Sequence, residues 1–363
     1  MKKALFLLIL VFSATLIFTS CGKKYKPVDS TKEESRVVCT MTVGDTEYEV
    51  KYELYRMLFL NNKTELDGGD DSVWSSDKKD EYISRVNEII YERAAEMFSV
   101  FELASALDIN PYSAAIEDEI YEYIVLSVEG NQADVKGHGS YDKFLSSLKE
   151  KNMNYSVMEL LLRYSIVSSR VYEKYRGTTD EVLGDLPGDI QINREDILAY
   201  YLGDECVRVL QMVSGDYERM LTHRAKIAEI NEKSDDDYDI ALYIVQNSTA
   251  LASDCIVDKK TSGLVISKYA LDYHTFGKYA DAVFALDEGE LSEIVEVNGE
   301  GYYLTFRLQK TEEHFERCYD AIKRSYIDNA VGMQIEKTKG DLLNSLEINK
   351  NYSEIRHANI SMD

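Results

Sequence analysis

Residues 279–308 read YADAVFALDEGELSEIVEVNGEGYYLTFRL, and this stretch decides the fold. Residues 279–286 are an apolar-rich turn of helix. Asp287-Glu288-Gly289-Glu290 stops it, with Gly289 placed for a left-handed turn. Leu291-Ser292 leads into Ile294-Val295-Glu296-Val297, a β-branched run suited to a pleated strand. Asn298-Gly299-Glu300-Gly301 is a turn, and Asn-Gly is a strong hairpin signal. Residues 302–308 form a second strand, aromatic and β-branched. The pattern is therefore helix, Gly-Glu-Leu-Ser connection, strand, glycine turn, strand.

Working upstream, residues 177–189 contain Gly184, Pro187 and Gly188 and read as a linker. Asn193 is an N-cap for a short helix over 194–201. A strand is expected at 206–213, helices at 216–233 and 238–245, and a strand at 263–269. With one short helix allowed in 249–262, the order is β-α-α-β-α-β-β. Together with Tyr279, Ala282, Phe284, Leu286, Gly289, Leu291, Ser292, Val295, Gly301 and Tyr302, this resembles a parvulin-type peptidyl-prolyl isomerase domain. The resemblance implies a fold, an activity and a set of site positions. Rotating an Xaa-Pro bond crosses a barrier of roughly 18–20 kcal/mol. The family meets it with a His on the first strand, a His on the last, a Cys or Asp beside them, and an apolar slot for the proline ring. Here the first-strand position falls near Leu210, and the last-strand position is Tyr303. Cys255 stands at a spacing before Leu264 that suits the Cys/Asp position, and it reads equally well as a core or loop thiol. The slot would be lined at Leu264, Thr275 and Tyr279. His223 and His274 are expected on the surface. The fold signature is present while the hydrogen-bonding centre is replaced, which implies weak or no isomerase activity.

The chain begins with a basic Met1-Lys2-Lys3, an apolar run over 4–18, and Thr19-Ser20-Cys21-Gly22. The apolar run is too short to span a bilayer as a stable helix. Small residues directly before a Cys at the end of such a run resemble a bacterial lipoprotein signal, with Phe18 a departure from the family's usual Leu. The resemblance implies cleavage after residue 20, a lipid on Cys21, and a protein anchored to the bacterial cell membrane facing the extracytoplasmic side. Residues 21–36 show no periodicity and are expected to be a flexible tether.

Residues 37–176 are expected to be a helical module. A strand pair is plausible over 37–50, and 49–60 looks helical. In 81–107, Ile83, Val86, Ile90, Ala94, Met97, Phe101, Ala104 and Leu107 recur every three or four residues, the mark of an amphipathic helix. Further helices are expected at 112–128, 141–149 and 155–175. Asp67-Gly68-Gly69-Asp70-Asp71 does not fit a calcium loop and reads as a solvated loop. The succession Ala106-Leu107-Asp108-Ile109-Asn110-Pro111, an acidic helix, Tyr141-Asp142-Lys143-Phe144-Leu145, then a long closing helix resembles the chaperone module of SurA- and PrsA-type foldases. Residues 312–346 are expected to be one long helix with a kink, or two helices, near Ser325. In that family a C-terminal helix packs back onto the N-terminal module.

The organisation expected is thus α+β: signal 1–20, tether 21–36, helical module 37–176, linker and short helix 177–203, parvulin-like domain 204–310, and a returning C-terminal segment 311–363. The net charge is −24, and it becomes more negative once Lys2 and Lys3 leave with the signal. Such a surface repels nucleic acid and anionic headgroups. No Cys or His spacing suggests a metal site, and no cofactor is implied. The function expected is a membrane-anchored foldase that holds unfolded or partly folded exported proteins, with a homodimer left open. An active isomerase is one alternative. A substrate-binding lipoprotein is another, although it would show repeated βα units that this helix-rich first half lacks.

Overall fold

The computed structural model describes residues 24–131, 135–176, 193–233, 237–247, 263–268, 273–297 and 299–362. Among them are eleven α-helices and two small antiparallel sheets, an α+β architecture. The molecule divides into two compact units. Tyr175–Met333 make the sheet unit, while the described residues up to Lys174 and from Gln334 onward make the helical unit. None of the described helices is long and apolar enough to cross a membrane.

The helical unit opens with residues 24–36, which are not a free tether. Glu34 pairs with Arg56 at 2.7 Å, Thr31 and Glu34 close a turn, and Ser30 bonds Glu53 and Ser156. Apart from the Thr31–Glu34 turn, these partners lie more than twenty residues along the sequence, so no local pattern announces them. β1 (Val37–Val43) and β2 (Thr46–Lys51) form a hairpin around Gly44, whose φ of 56° the tight turn requires. α1 (Tyr52–Asp67) follows, so the strand runs past the helix start expected at 49. Asp67 is buried rather than solvated. Its carboxylate accepts from Trp74 Nε1 at 2.7 Å, Gly69 N at 2.7 Å and Lys63 Nζ at 2.9 Å. α2 (Lys79–Ala106) buries Val86, Ile90, Ala94, Met97, Phe101 and Ala104, the stripe that its periodicity predicts. α3 (Ala114–Glu129), α4 (Tyr141–Lys149) and α5 (Tyr155–Arg176) complete this half.

The sheet unit begins with α6 (Arg194–Leu202), capped by Asn193, which accepts from Asp196 N at 2.8 Å. Then come β3 (Cys206–Ser214), α7 (Tyr217–Lys233), α8 (Asp237–Asn247), β4 (Leu264–Ser267), α9 (Tyr273–Phe284), β5 (Val295–Val297) and β6 (Gly301–Leu308). This is the expected β-α-α-β-α-β-β order, and the short helix anticipated within 249–262 lies outside the described residues. The sheet order is β4-β3-β6-β5, all antiparallel. α7 and α8 cover one face through Met220, Ile227, Ile240 and Ile244, and α9 covers the other. α10 (Glu312–Arg317) and α11 (Tyr319–Asn344) are separate helices. The break falls at Cys318, not near Ser325, and it lets Phe315 and Ile322 both reach the cluster around Ile197 and Tyr201. After α11, β7 (Glu347–Ile348) pairs antiparallel with β1, Cys39 against Ile348. His357 then seats against Tyr55, its Nε2 2.8 Å from the hydroxyl.

Candidate functional site

The face of the sheet beneath α9 is where the parvulin resemblance places chemistry. Tyr303 stands at its centre on β6, with Val213 beside it on β3 and Val295 beside it on β5. Above it are two rings from α9. Tyr279 lies 5.0 Å from Tyr303 between ring centres, and Phe276 meets Tyr303 edge-on at 6.0 Å. Tyr303 is 8% exposed and Tyr279 is 2% exposed. Burial raises the Tyr303 phenol above its ordinary pKa, and its hydroxyl makes no hydrogen bond to a described residue. Phe276 meets both tyrosine rings edge to face, a preferred aromatic arrangement, and the Tyr279 and Tyr303 rings are tilted against each other.

Apart from the Tyr303 hydroxyl, the polar side chains described on this face are engaged with one another. Tyr279 Oη donates to Gln211 Oε1 at 3.2 Å, and Thr305 Oγ1 donates to Tyr279 Oη at 3.4 Å. Gln211 and Thr305 are cross-strand partners. Leu210 does not join them. Successive strand residues point to opposite faces, so Tyr303's face takes Val209, Gln211 and Val213. Leu210 is fully buried on the other side with Met212, Met220 and Leu304. The first-strand residue nearest to a polar role is therefore Gln211, one position from the sequence expectation. Leu264, opposite Val209, packs against the clusters on both faces. Cys255, Cys21 and the side chain of Thr275 lie outside the described residues.

The residues that carry the resemblance have a structural role. Gly289, at φ 82°, donates its N–H to Arg307 O at 2.8 Å, and Arg307 N returns a bond to Glu290 O at 2.9 Å. Ser292 N donates to Thr305 O at 2.8 Å, and Ser292 Oγ accepts from Thr305 N at 3.0 Å. The Gly-Glu-Leu-Ser run thus lies along β6 and satisfies its backbone, while Leu291 packs toward α7 and α8.

Two histidines of the sheet unit prove to be interior groups. His223, expected on the surface, is buried, with Nδ1 2.8 Å from Tyr243 Oη and Nε2 accepting from Arg219 Nε at 3.2 Å. Burial and the Arg219 charge lower its pKa. Met220, His223 and Ile227 recur at helical spacing, and that spacing is the signal for an inward face. His314 is fully buried against Tyr201 and lowered to about 3, first by burial and then by Arg208. Neither belongs to the α9 face: His223 packs under α8, and His314 belongs to the α6–α10 side. Cys206 is a free thiol on that same side, and burial pushes it up to about 11. Among the described residues, the α9 face thus presents packed rings, an amide and a hydroxyl, with no group poised to exchange protons near neutral pH.

No family model matches the sequence, and no curated protein matches it either. Solved structures do. The matches are to structures of PrsA. The foldase protein PrsA of Streptococcus pneumoniae is 12% identical, matching 75% of this chain and 89% of its own at a TM-score of 0.31. PrsA of Bacillus subtilis is 13% identical over 90% of this chain and 98% of its own, at 0.25. The peptidylprolyl isomerase PrsA of Bacillus anthracis is 12% identical over 70% and 98%, also at 0.25. Superposition at this level leaves the function to be argued from the residues themselves.

Proposed function

We propose that this protein is an extracytoplasmic foldase that holds unfolded exported proteins, anchored to the bacterial membrane through a lipid on Cys21. Its sheet unit binds or spaces and contributes little or no isomerase activity. The signal-like first residues, the helical module and the order of the sheet unit support the first statement. The second rests on the interlocked rings of Phe276, Tyr279 and Tyr303, which occupy the face where a proline ring would have to enter. An isomerase must place hydrogen-bonding groups around a twisting amide, and here Gln211, Thr305 and the Tyr279 hydroxyl bond to one another.

Two assays on the same preparation test this. Aggregation of a chemically denatured client should be suppressed, because a holding chaperone buries apolar segments with broad tolerance. Protease-coupled isomerisation of a short Xaa-Pro peptide should proceed at or near its uncatalysed rate. Robust acceleration that is lost on changing Cys255 or Tyr303 would reverse the assignment. The anchor has its own test: Cys21→Ala should release the protein from the membrane fraction, and unchanged retention would exclude lipidation at that residue.

A further inference from the structure

We propose that the surface shared by α3, α4 and α5 is a docking groove for extended peptide segments bearing basic, aromatic and proline residues, and that residues 24–27 of this protein occupy it as an exchangeable stand-in. The proposal rests on the foldase reading, since the competing segments would come from unfolded polypeptides.

The seated segment is Lys24-Tyr25-Lys26-Pro27, and its contacts divide into two kinds. Two read only the backbone. Lys24 N–H donates to Tyr121 Oη at 2.6 Å, and Tyr141 Oη donates to Lys26 O at 2.6 Å. Tyrosyl hydroxyls from α3 and α4 thus take the place of a strand partner, and any extended residue pair could satisfy them. The others depend on the identity of the side chains. Lys24 Nζ and Tyr25 Oη both reach Glu129 Oε1, each at 2.7 Å. The Tyr25 ring stacks on Tyr141 with ring centres 5.2 Å apart. One carboxylate therefore selects a cation and a phenol, and one ring selects an aromatic neighbour.

The fit is loose. A cavity of about 50 Å³ remains beside Tyr25 and Pro27, lined also by Ile120, Ile124, Tyr155, Glu117 and Glu159. A larger apolar side chain than proline would fill it. The hydrogen bonds of residues 24–27 are all exposed, so water competes for each of them. The next residues differ. Val28 is 45% exposed, and from Ser30 onward the side chains of Ser30 and Glu34 are held by partly buried bonds to Glu53, Ser156 and Arg56. Residues 24–27 can therefore leave the groove while 30–36 stay in place.

The experiment uses a fluorescein-labelled peptide of residues 24–29, Lys-Tyr-Lys-Pro-Val-Asp, and measures anisotropy on the protein. A strap seated about nine-tenths of the time lowers apparent affinity about tenfold. Weakening the strap with Lys24→Ala and Tyr25→Ala should accordingly tighten peptide binding about tenfold. Adding Glu129→Gln and Tyr141→Phe to that variant should abolish the gain, and a Gly-Ser peptide of equal length should not bind. Emission from Trp74, the single tryptophan, reports that each variant is folded. Equal affinity with and without the strap, or binding indifferent to Glu129 and Tyr141, would overturn the groove. A protein that suppresses client aggregation yet shows neither effect retains the foldase reading and loses this one. A protein that binds the peptide without suppressing aggregation keeps the groove and loses the foldase reading.

Discussion

Truncating Tyr303 to alanine should loosen the sheet unit far more than removing its hydroxyl. The side chain sits between Val213 and Val295 in the sheet and under Phe276 and Tyr279. An aromatic ring buried to this extent removes about 150–250 Å² from water. At about 25 cal/mol per Å² that is roughly 4–6 kcal/mol, and measured aromatic-to-alanine losses run about 3–5 kcal/mol. Tyr303→Phe keeps the ring and drops a hydroxyl that no described residue bonds, so its cost should stay within about 1 kcal/mol. Hydrogen exchange followed by mass spectrometry over β3 and β6 reads this locally. Each 1.4 kcal/mol is about a tenfold change in an opening constant, so Tyr303→Ala should speed exchange roughly a hundred- to a thousand-fold or more. Tyr303→Phe should leave exchange nearly unchanged, and should leave the rate with an Xaa-Pro peptide unchanged as well. If Tyr303→Phe instead lowered a measurable isomerisation rate while exchange stayed the same, the phenol would be a chemical group and the packing argument would fail.

The remaining predictions concern the interior polar groups. His314 is held at about 3, and His357 at about 4 by burial, while the imidazoles of the unfolded state titrate near 6.5. Between those values the unfolded state binds more protons, so stability falls as pH drops below about 6.5 and levels off below the folded values. At pH 4.5 the loss should be about 2.5 kcal/mol for each histidine, and urea titrations of His314→Gln and His357→Gln should each lack one such increment relative to the parent; parallel pH profiles would refute it. Asp67→Asn should weaken the acceptor for Trp74 Nε1, Lys63 and Gly69, cost about 1–2 kcal/mol, and shift the emission of the single tryptophan, whereas an unchanged spectrum and midpoint would show that the buried carboxylate is not holding the indole.

What the sequence discloses and what it withholds follow from the range of the interactions. The Gly289-Glu290-Leu291-Ser292 run is readable because its role is local: a positive φ, then a backbone laid along β6. The α2 stripe is readable because burial imposes a period of 3.6. Spacing alone puts the first-strand site at Leu210, and the residue on Tyr303's face is Gln211. A strand inverts its faces with every residue, so only the cross-strand register with β6 settles that choice. His223 reads as an outward residue because a histidine in a polar helix looks solvated, yet it is buried on the stripe of Met220 and Ile227, with Arg219 one turn back and Tyr243 of α8 as its partners. Residues 24–36 carry no periodicity, and much of what holds them comes from α1, 22 residues away at Arg56, and from α3, α4 and α5, 97 to 126 residues away.

Tyrosine is the residue on which both proposals turn, a peptide held in one unit and none admitted in the other. The residue supplies a wide apolar ring and a single polar tip, and its effect depends on where the tip points. In the sheet unit the Tyr279 hydroxyl turns inward to Gln211 and Thr305, and the buried Tyr279 and Tyr303 rings lie against each other. On the α3–α4 surface the tips of Tyr121 and Tyr141 turn outward to a backbone N–H and a backbone carbonyl. Such contacts ask for an extended backbone and little else, which is the tolerance a holder of unfolded proteins requires. The adjacent Glu129 adds preference for cations. The net charge of −24 favours basic segments in the same sense, and the proposed capture needs no proton-transfer centre.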